Sequence, residues 1–358
     1  MLRVGILGAT GAVGQKFVEL LDGHPQFEIA ALAASERSAG KPYREAANWI
    51  GGTEMPERVA AMEVVPAEPG ALDCDFVFSG LDASVAGEVE RAFADAGVPV
   101  ISNARNHRMD PTVPLLIPEV NPDHTALIDG QSTPGFIVTN PNCSTVGLVL
   151  ALKPLVDAFG VEAVSVVTMQ ALSGAGYPGV SSLDALGNVV PFIGGEEDKL
   201  ATEPLKLFGT LVDGAIRPAE MTISAQCNRV PVLDGHTECV SVKLGTAASP
   251  DDVAEALRSF QSPLAGLDLW MAPDRPIRVF DDERFPQPRR HVEAERGMQV
   301  GVGRVRACPV LGVKFVVLSH NTVRGAAGGA ILNAELLLSE GRLRSEPVSR
   351  GVEDGVSQ

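Results

Sequence analysis

Seven residues near the start of the chain, Gly8-Ala9-Thr10-Gly11-Ala12-Val13-Gly14, constrain its fold more than any other stretch. They join an apolar run, Arg3 to Leu7, to an apolar-periodic segment, Gly14 to Leu21. A buried strand that turns through glycines directly into a helix is the opening unit of a doubly wound parallel sheet. Glycines let the backbone turn tightly and approach a pyrophosphate, which then meets the helix N-terminus. The spacing here is G-x-x-G-x-x-G rather than the commoner G-x-G-x-x-G. Its position at the first β-α junction marks it as a dinucleotide loop.

The alternation continues through the first third. Glu28 to Ala33, Asp75 to Phe78 and Val98 to Ile101 read as strands, and Val85 to Ala96 as a helix between the last two. Thr112 to Gly135 is punctuated by Pro and Gly and reads as loop-rich wiring. Beyond it the pattern changes. Strand-like runs appear at Ala163 to Ala171, Thr222 to Cys227, Thr237 to Leu244, Val302 to Pro309 and Val313 to Ser319. Helical patterns at Cys143 to Phe159, Thr202 to Phe208 and Pro250 to Ser259 interrupt them, which predicts a mixed sheet with helices on one face. Ala326 to Ser339 is a last apolar helix that can return to the first domain.

With 358 residues, 45% of them apolar and 21% charged, the chain can build two globular domains. A formal net charge of −16 argues against nucleic acid or an anionic membrane as the partner. No apolar run is long enough to span a bilayer, and the N-terminus lacks a signal-peptide layout. Five scattered cysteines suggest no disulfide framework, so a reducing, cytoplasmic setting is expected.

One of those cysteines has a chemical setting. Asn140-Pro141-Asn142-Cys143-Ser144-Thr145 follows the β-prone run Phe136 to Val138 and precedes a long apolar helix. Cys143 thus stands at a helix N-terminus, which stabilises a thiolate. Asn142 can donate to an oxyanion together with the Cys143 N–H, or it can be the helix N-cap. Among six histidines, His236 lies in a polar turn entering a strand, with Arg229 just upstream, and is the best base candidate. Arg229 fits either a surface ion pair or a bidentate grip on a carboxylate. Gln170 opens a second glycine-rich loop, Gln170 to Gly179. After the second strand, Ser35, Arg37, Ser38 and Lys41 offer hydroxyls and positive charge suited to a 2′-phosphate, so NADP is favoured over NAD, although Glu36 stands among them.

Taken together, GATGAVGQ at Gly8, SNARNHRM at Ser102, PEVN at Pro118, NPNCST at Asn140, QALSGAGYPG at Gln170, RVPVLDGHTECV at Arg229 and HNTVRGAAGGAILNAELL at His320 make the chain resemble the aspartate-β-semialdehyde dehydrogenases, in their archaeal and fungal branch. The resemblance spans nearly the whole chain. It implies an NADP-binding Rossmann-type domain over 1–138, a catalytic and dimerisation domain over 139–318, a C-terminal helix over 319–345 packing back on the first domain, and a frayed tail over 346–358. It implies reversible NADPH-dependent reductive dephosphorylation of 4-aspartyl phosphate in lysine, threonine and methionine biosynthesis, by a homodimer or homotetramer without a metal. Cys143 becomes the acyl-thioester nucleophile, deprotonated with help from His236 as general acid/base, with Asn142 at the oxyanion and Gln170 orienting the substrate. Arg229 matches the α-carboxylate site and Arg108 the phosphate site. Gly8, Thr10, Gly11, Ala12, Val13, Ser173, Gly174 and Asn321 match cofactor contacts. A Glu and a Lys three apart should hold the substrate amine and phosphate. Glu203 and Lys206 are the expected pair, with Glu196 and Lys199 at the same spacing as the alternative. A malonyl-CoA or related acyl-CoA reductase of the same family is the alternative function.

Overall fold

The structure, a computed structural model, describes residues 1–344. The expected tail over 346–358 lies outside the described residues. Six strands form the first sheet: β1 (Leu2–Leu7), β2 (Phe27–Ala34), β3 (Val64–Pro66), β4 (Phe76–Ser79), β5 (Val100–Ser102) and β6 (Ile137–Thr139). All pair in parallel, in the order β3-β2-β1-β4-β5-β6. The chain reverses its winding between β1 and β4, and a parallel sheet opens its ligand crevice beyond the strand ends at such a point. Helix α1 (Ala12–Leu21) and helix α2 (Ala83–Asp95) are the first crossovers.

The glycine loop sits at this switch point. Gly8 has φ +73°, and a Cβ there would lie 2.8 Å from the Gly80 carbonyl oxygen just past β4. A Cβ on Gly14 would collide with the backbone of Gly8 and Ala9. Glycine at both positions therefore lets α1 start against the strand ends, with its N–H groups facing the crevice.

Helix α3 (Cys143–Phe159) leads out of β6 and stops at Gly160, φ +68°. The second sheet contains β7 (Val161–Gln170) and, after a small hairpin of β8 (Thr210–Val212) and β9 (Ala215–Arg217), β10 (Thr222–Arg229), β11 (His236–Leu244), β12 (Ile277–Phe280), β13 (Val300–Cys308) and β14 (Gly312–Ser319). Its order is β10-β7-β11-β14-β13-β12, with parallel pairs at the two edges and antiparallel pairs between. Helix α4 (Glu196–Leu207) precedes the hairpin, and helix α5 (Pro250–Arg258) joins α3 on one face. Val146, Leu148, Leu152, Val164, Val166, Val240 and Phe315 belong to the core between α3 and this sheet.

The final helix, α6 (Gly328–Ser339), begins two residues later than the sequence predicts. A distorted turn of π type over Val323–Ala327 comes first. Ile331, Leu332, Leu336 and Leu337 of α6 join Phe17, Phe27, Phe76 and Phe78 in one core, so the helix packs back on the first sheet. The one acid within that buried stretch, Glu335, accepts from the Met271 N–H at 2.9 Å and lies 3.0 Å from His24 Nε2. A parallel sheet, a mixed sheet and a returning helix are the fold class expected. Among the described residues no helix is long and apolar enough to cross a membrane.

The sequence reading missed β3, which is three residues long at the sheet edge, and the 3₁₀ turn Pro122–Gly130 inside the expected wiring. It also placed the start of α4 six residues late. That helix opens with Glu196, Glu197 and Asp198, three acids that suit the positive end of the helix dipole.

Glu238 on β11 is fully buried, and neither carboxylate oxygen has a partner among the described residues. Burial raises its pKa well above the ordinary carboxylate range. The folded protein thus keeps a proton that the unfolded chain releases, so this group lowers stability as pH rises past that range. Replacing it by glutamine removes the effect. From about pH 5 to about pH 7 the stability of Glu238→Gln relative to the parent should rise by up to about 1.4 kcal/mol per pH unit. Denaturant titrations of both proteins across this range check it, and a pH-independent difference would refute it.

Candidate active site

Four strand ends of the second sheet converge on the start of α3. Gln170 ends β7, Arg229 ends β10 in register with it, His236 begins β11, and Ser319 ends β14 opposite His236. All four are buried. Cys143, half-buried at the first position of α3, lies 3.2 Å through its Sγ from His236 Nε2. Gly325, in the turn before α6, packs directly on Cys143.

Burial pushes the Cys143 thiol up to about 12, helped by the negative charge of Glu196 and opposed by Arg108, Lys199 and Arg229. Burial likewise pushes His236 down to about 3, with Arg229 and His320 acting in the same direction. The other face of the ring is also engaged, because His236 Nδ1 accepts the Ala171 N–H at 3.1 Å.

Both Glu/Lys pairs lie on α4, and the structure separates their roles. The Lys206 ammonium donates to the carbonyls of Arg108, Asp110 and Val113 at 2.7 to 2.8 Å. Those bonds take all three of its N–H groups and leave none for a phosphate. Glu203 is equally committed. Oε1 accepts from Arg108 at 2.8 Å and Oε2 from the Asn142 N–H at 2.7 Å. The expected pair is therefore a structural brace. Glu196 and Lys199, 2.6 Å apart, are the pair whose charges reach Cys143. Glu196 also accepts from Asn142 Nδ2 at 2.9 and 3.0 Å and from Gln170 Nε2 at 3.3 Å.

The Asn142 amide does not match the oxyanion role. Its Oδ1 caps α3 through the Ser144 N–H at 3.0 Å, and its NH₂ is held by Glu196. The Cys143 N–H remains as the donor at the helix start. Arg229 donates to the Ala171 carbonyl at 2.6 Å and has no carboxylate partner among the described residues. Arg108 lies between Glu203 and the Asn103 carbonyl.

The expected cofactor residues fall into three groups. Gly8, Thr10, Gly11, Ala12 and Val13 form the turn into α1. Ser35 and Arg37 are exposed just after β2, with Ser38 half-buried beside them. Ser173 and Gly174 lie on the loop after β7, where Asn321 ties Ser173 Oγ (2.8 Å) to the Gly235 N–H (2.8 Å). Gly174 comes so close that a Cβ would sit 2.9 Å from Arg229 and 3.0 Å from the His236 ring. A cleft of about 780 Å³ opens between the start of α1, this loop and residues 320–323. His320 lines it, 3.4 Å from Glu293, and was not singled out in the sequence. Among the described residues no His/Cys/Asp/Glu group is arranged to hold a metal ion.

A parallel sheet with a glycine-rich dinucleotide loop, abutting a mixed sheet that carries a Cys–His contact, is the architecture of a nicotinamide-dependent dehydrogenase. The family models agree in kind. One described as "Semialdehyde dehydrogenase, NAD binding domain" matches residues 3–128, and one described as "Semialdehyde dehydrogenase, dimerisation domain" matches residues 152–324. The aspartate-semialdehyde dehydrogenase of Methanothermobacter thermautotrophicus is 53% identical, covering 94% of this chain and 99% of that protein. That of Schizosaccharomyces pombe is 51% identical over 95% and 98% of the two chains. The crystal structure of the Candida albicans enzyme with NADP superposes at a TM-score of 0.89 with 45% identity, covering 96% of this chain and all of that one. The chain belongs to the aspartate-semialdehyde dehydrogenase family.

The contact of Gly325 with Cys143 sets a test of the geometry. A Cβ at 325 would lie 2.7 Å from both Cα and Cβ of Cys143. Moving a nucleophile by an ångström costs on the order of 100-fold in rate, so Gly325→Ala should lose about that factor in kcat/KM while its circular dichroism is unchanged. Parental activity in that variant would contradict the contact.

Proposed function

We propose that this protein catalyses the NADPH-dependent, reversible conversion of 4-aspartyl phosphate to L-aspartate 4-semialdehyde and phosphate, through a thioester on Cys143. The observation that carries the reading is the Cys143–His236 contact, set among a carboxylate (Glu196) and three cations (Arg108, Lys199, Arg229). A small zwitterion with an acyl phosphate offers an amine to the carboxylate, a carboxylate to one cation and a phosphate to the other two.

NADP fits the residues present. The open cradle formed by Gly8, Gly11 and Gly14 would be filled by any Cβ at Gly8 or Gly14, and Ser35, Arg37 and Ser38 stand at the end of β2 to receive a 2′-phosphate. When bound, the cofactor supplies or accepts the hydride. Asn321 holds Ser173 and Gly235 together and so fixes Ser173 on the wall of the cleft that would receive the cofactor.

In the remaining steps the chain's own groups position the substrate. Arg229, with its second guanidinium nitrogen beyond the Ala171 bond, grips the α-carboxylate. Glu196 receives the amine, with Gln170 beside it. Lys199 and Arg108 offset the phosphate charge. The Cys143 N–H, backed by the α3 dipole, receives the oxyanion. Lys199 replaces Lys206 in this role because its ammonium has a single partner rather than three. This enzyme chemistry belongs to lysine, threonine and methionine biosynthesis in a cytoplasmic setting.

Assembly as a homodimer or homotetramer fits the segment before α4, where Leu183, Leu186 and Phe192 are 89%, 72% and 72% exposed. Clustered exposed apolar side chains mark protein–protein surfaces.

The direct assay is NADPH formation from NADP, phosphate and L-aspartate semialdehyde, with malonyl-CoA plus NADPH as the parallel arm. Phosphate-dependent NADP reduction is the expected result, and activity only with malonyl-CoA would overturn it. Cys143→Ala should abolish turnover and keep NADP binding. The two lysines should differ in kind. Lys199→Met should raise KM for phosphate roughly ten-fold or more, the loss of one charge-assisted bond, with little change in Tm. Lys206→Met leaves three carbonyls without a donor and should cost on the order of 3 kcal/mol of stability. The reverse assignment of these two effects would refute the choice of Lys199.

A further inference from the structure

The turn over 320–327 serves two neighbours at once. His320, Thr322 and Val323 line the cofactor cleft, and Asn321 holds Ser173 on its wall. Gly325, in the same turn, packs directly on Cys143. The main-chain bonds of the turn run five residues back, from Gly325 to His320 at 2.9 Å and from Ala327 to Thr322 at 3.1 Å. That π spacing occurs mostly as single turns at functional sites. Arg324 stands between Val323 and Gly325 and is buried. Its guanidinium donates to both oxygens of Glu119, at 2.7 and 2.6 Å.

Glu119 is itself anchored. The N–H groups of Val120 and Asn121 donate to the Ile117 carbonyl at 2.8 and 3.1 Å, and Asn121 Oδ1 accepts the Ile117 N–H at 2.9 Å. Beside this turn the Leu116 N–H donates to the Thr139 carbonyl at 2.9 Å. Thr139 ends β6, the strand that leads into Cys143. The pair therefore refers the cleft-lining turn to the strand before α3. A bidentate guanidinium–carboxylate contact fixes two parallel bonds in one plane, and a packed apolar pair of similar volume does not. Because such apolar replacements are often no less stable, the geometry that the ion pair imposes explains it better than stability does.

We propose that Arg324 and Glu119 are positioning residues for the hydride half of the reaction, setting the distance between the cofactor cleft and the carbon bound to Cys143. The inference rests on the semialdehyde reading above. In that half the semialdehyde adds to the Cys143 thiol, and the adduct gives a hydride to NADP and its hydroxyl proton to His236, leaving the thioester. The other half, exchange between thioester and acyl phosphate, needs only Cys143 and the groups around it. The start of α3 is held from α4 through Asn142, without the pair. NADP affinity resides in the glycine turn and the residues after β2, elsewhere in the first domain. Loosening the pair should therefore slow one half and spare the other.

The test compares the full-length protein with the double variant Glu119→Leu/Arg324→Met, which removes both charges and leaves neither unpaired. The hydride half is read as the burst of NADPH from semialdehyde and NADP without phosphate. The other half is read as single-turnover phosphate release from aspartyl phosphate without NADPH, and NADP affinity by titration calorimetry. Misplacement by an ångström costs on the order of 100-fold in rate, so the burst should slow by about that factor. Phosphate release and NADP affinity should be unchanged. Deuterium on the aldehyde carbon should slow steady-state turnover more in the variant than in the parent, because hydride transfer then limits it. Glu119→Gln keeps one acceptor for Arg324 and should fall between the two, and it carries the same comparison if the double variant does not fold. Equal slowing of both halves, or parental rates in both, overturns the proposal. No burst from the parental protein would overturn the semialdehyde reading and the proposal with it.

Discussion

Asn142 is held by one helix at two points, and the position of Cys143 depends on that grip. Glu203 accepts its backbone N–H, while Glu196 holds its side-chain amide. The two carboxylates are two turns apart on α4, about 10 Å along the axis, and so share a face. Asn142 then caps α3 with its remaining oxygen. The residue preceding Cys143 is in this way fixed through backbone, amide nitrogen and amide oxygen. A charge-assisted bond is worth about 1.5–3 kcal/mol, and leaving any of these buried groups unpaired costs a similar amount, so the start of α3 has one favourable place. The same carboxylate of Glu203 also fixes Arg108, which links the loop after β5 to the start of α3.

Around that point the two sheets contribute differently. The second sheet supplies side chains from four strand ends at one rim, because parallel and antiparallel pairings bring Gln170, Arg229, His236 and Ser319 to the same edge. The first sheet supplies backbone, in the open glycine turn before α1 and the crevice at its switch point. The C-terminal segment closes the arrangement. A buried bidentate pair between Arg324 and Glu119 holds the turn before α6, and that turn presses Gly325 against Cys143. Breaking such a pair leaves a buried charge without a partner, so the returning helix and the site are coupled through it.

Much of this was legible in the residues. The glycine turn, the strand–helix alternation, the cysteine at a helix start and the histidine beside an arginine are local patterns, and each occupies the kind of position its pattern implies. The Glu/Lys pairs were not resolved. Glu196/Lys199 and Glu203/Lys206 have identical spacing on one helix, and spacing reports only that both pairs share its face. What lies opposite each turn is a loop in one case and the site in the other. Arg108 through Val113 present three carbonyls to Lys206, and no local pattern announces where a carbonyl will point. Asn142 was ambiguous for the same reason, its two roles differing only in what Glu196 does with the amide.

The sequence by itself determined the class of sheet, the glycine turn and the cysteine at a helix start, because periodicity, glycine placement and helix boundaries are set by neighbours along the chain. Only the tertiary structure decided which lysine has all three N–H groups engaged, which carboxylate braces the start of α3, and which main-chain N–H faces the His236 ring. Those depend on donors and acceptors 61 to 98 residues away, brought within about 3 Å by packing. A hydrogen bond is decided by distance and direction in space, and the linear sequence states neither.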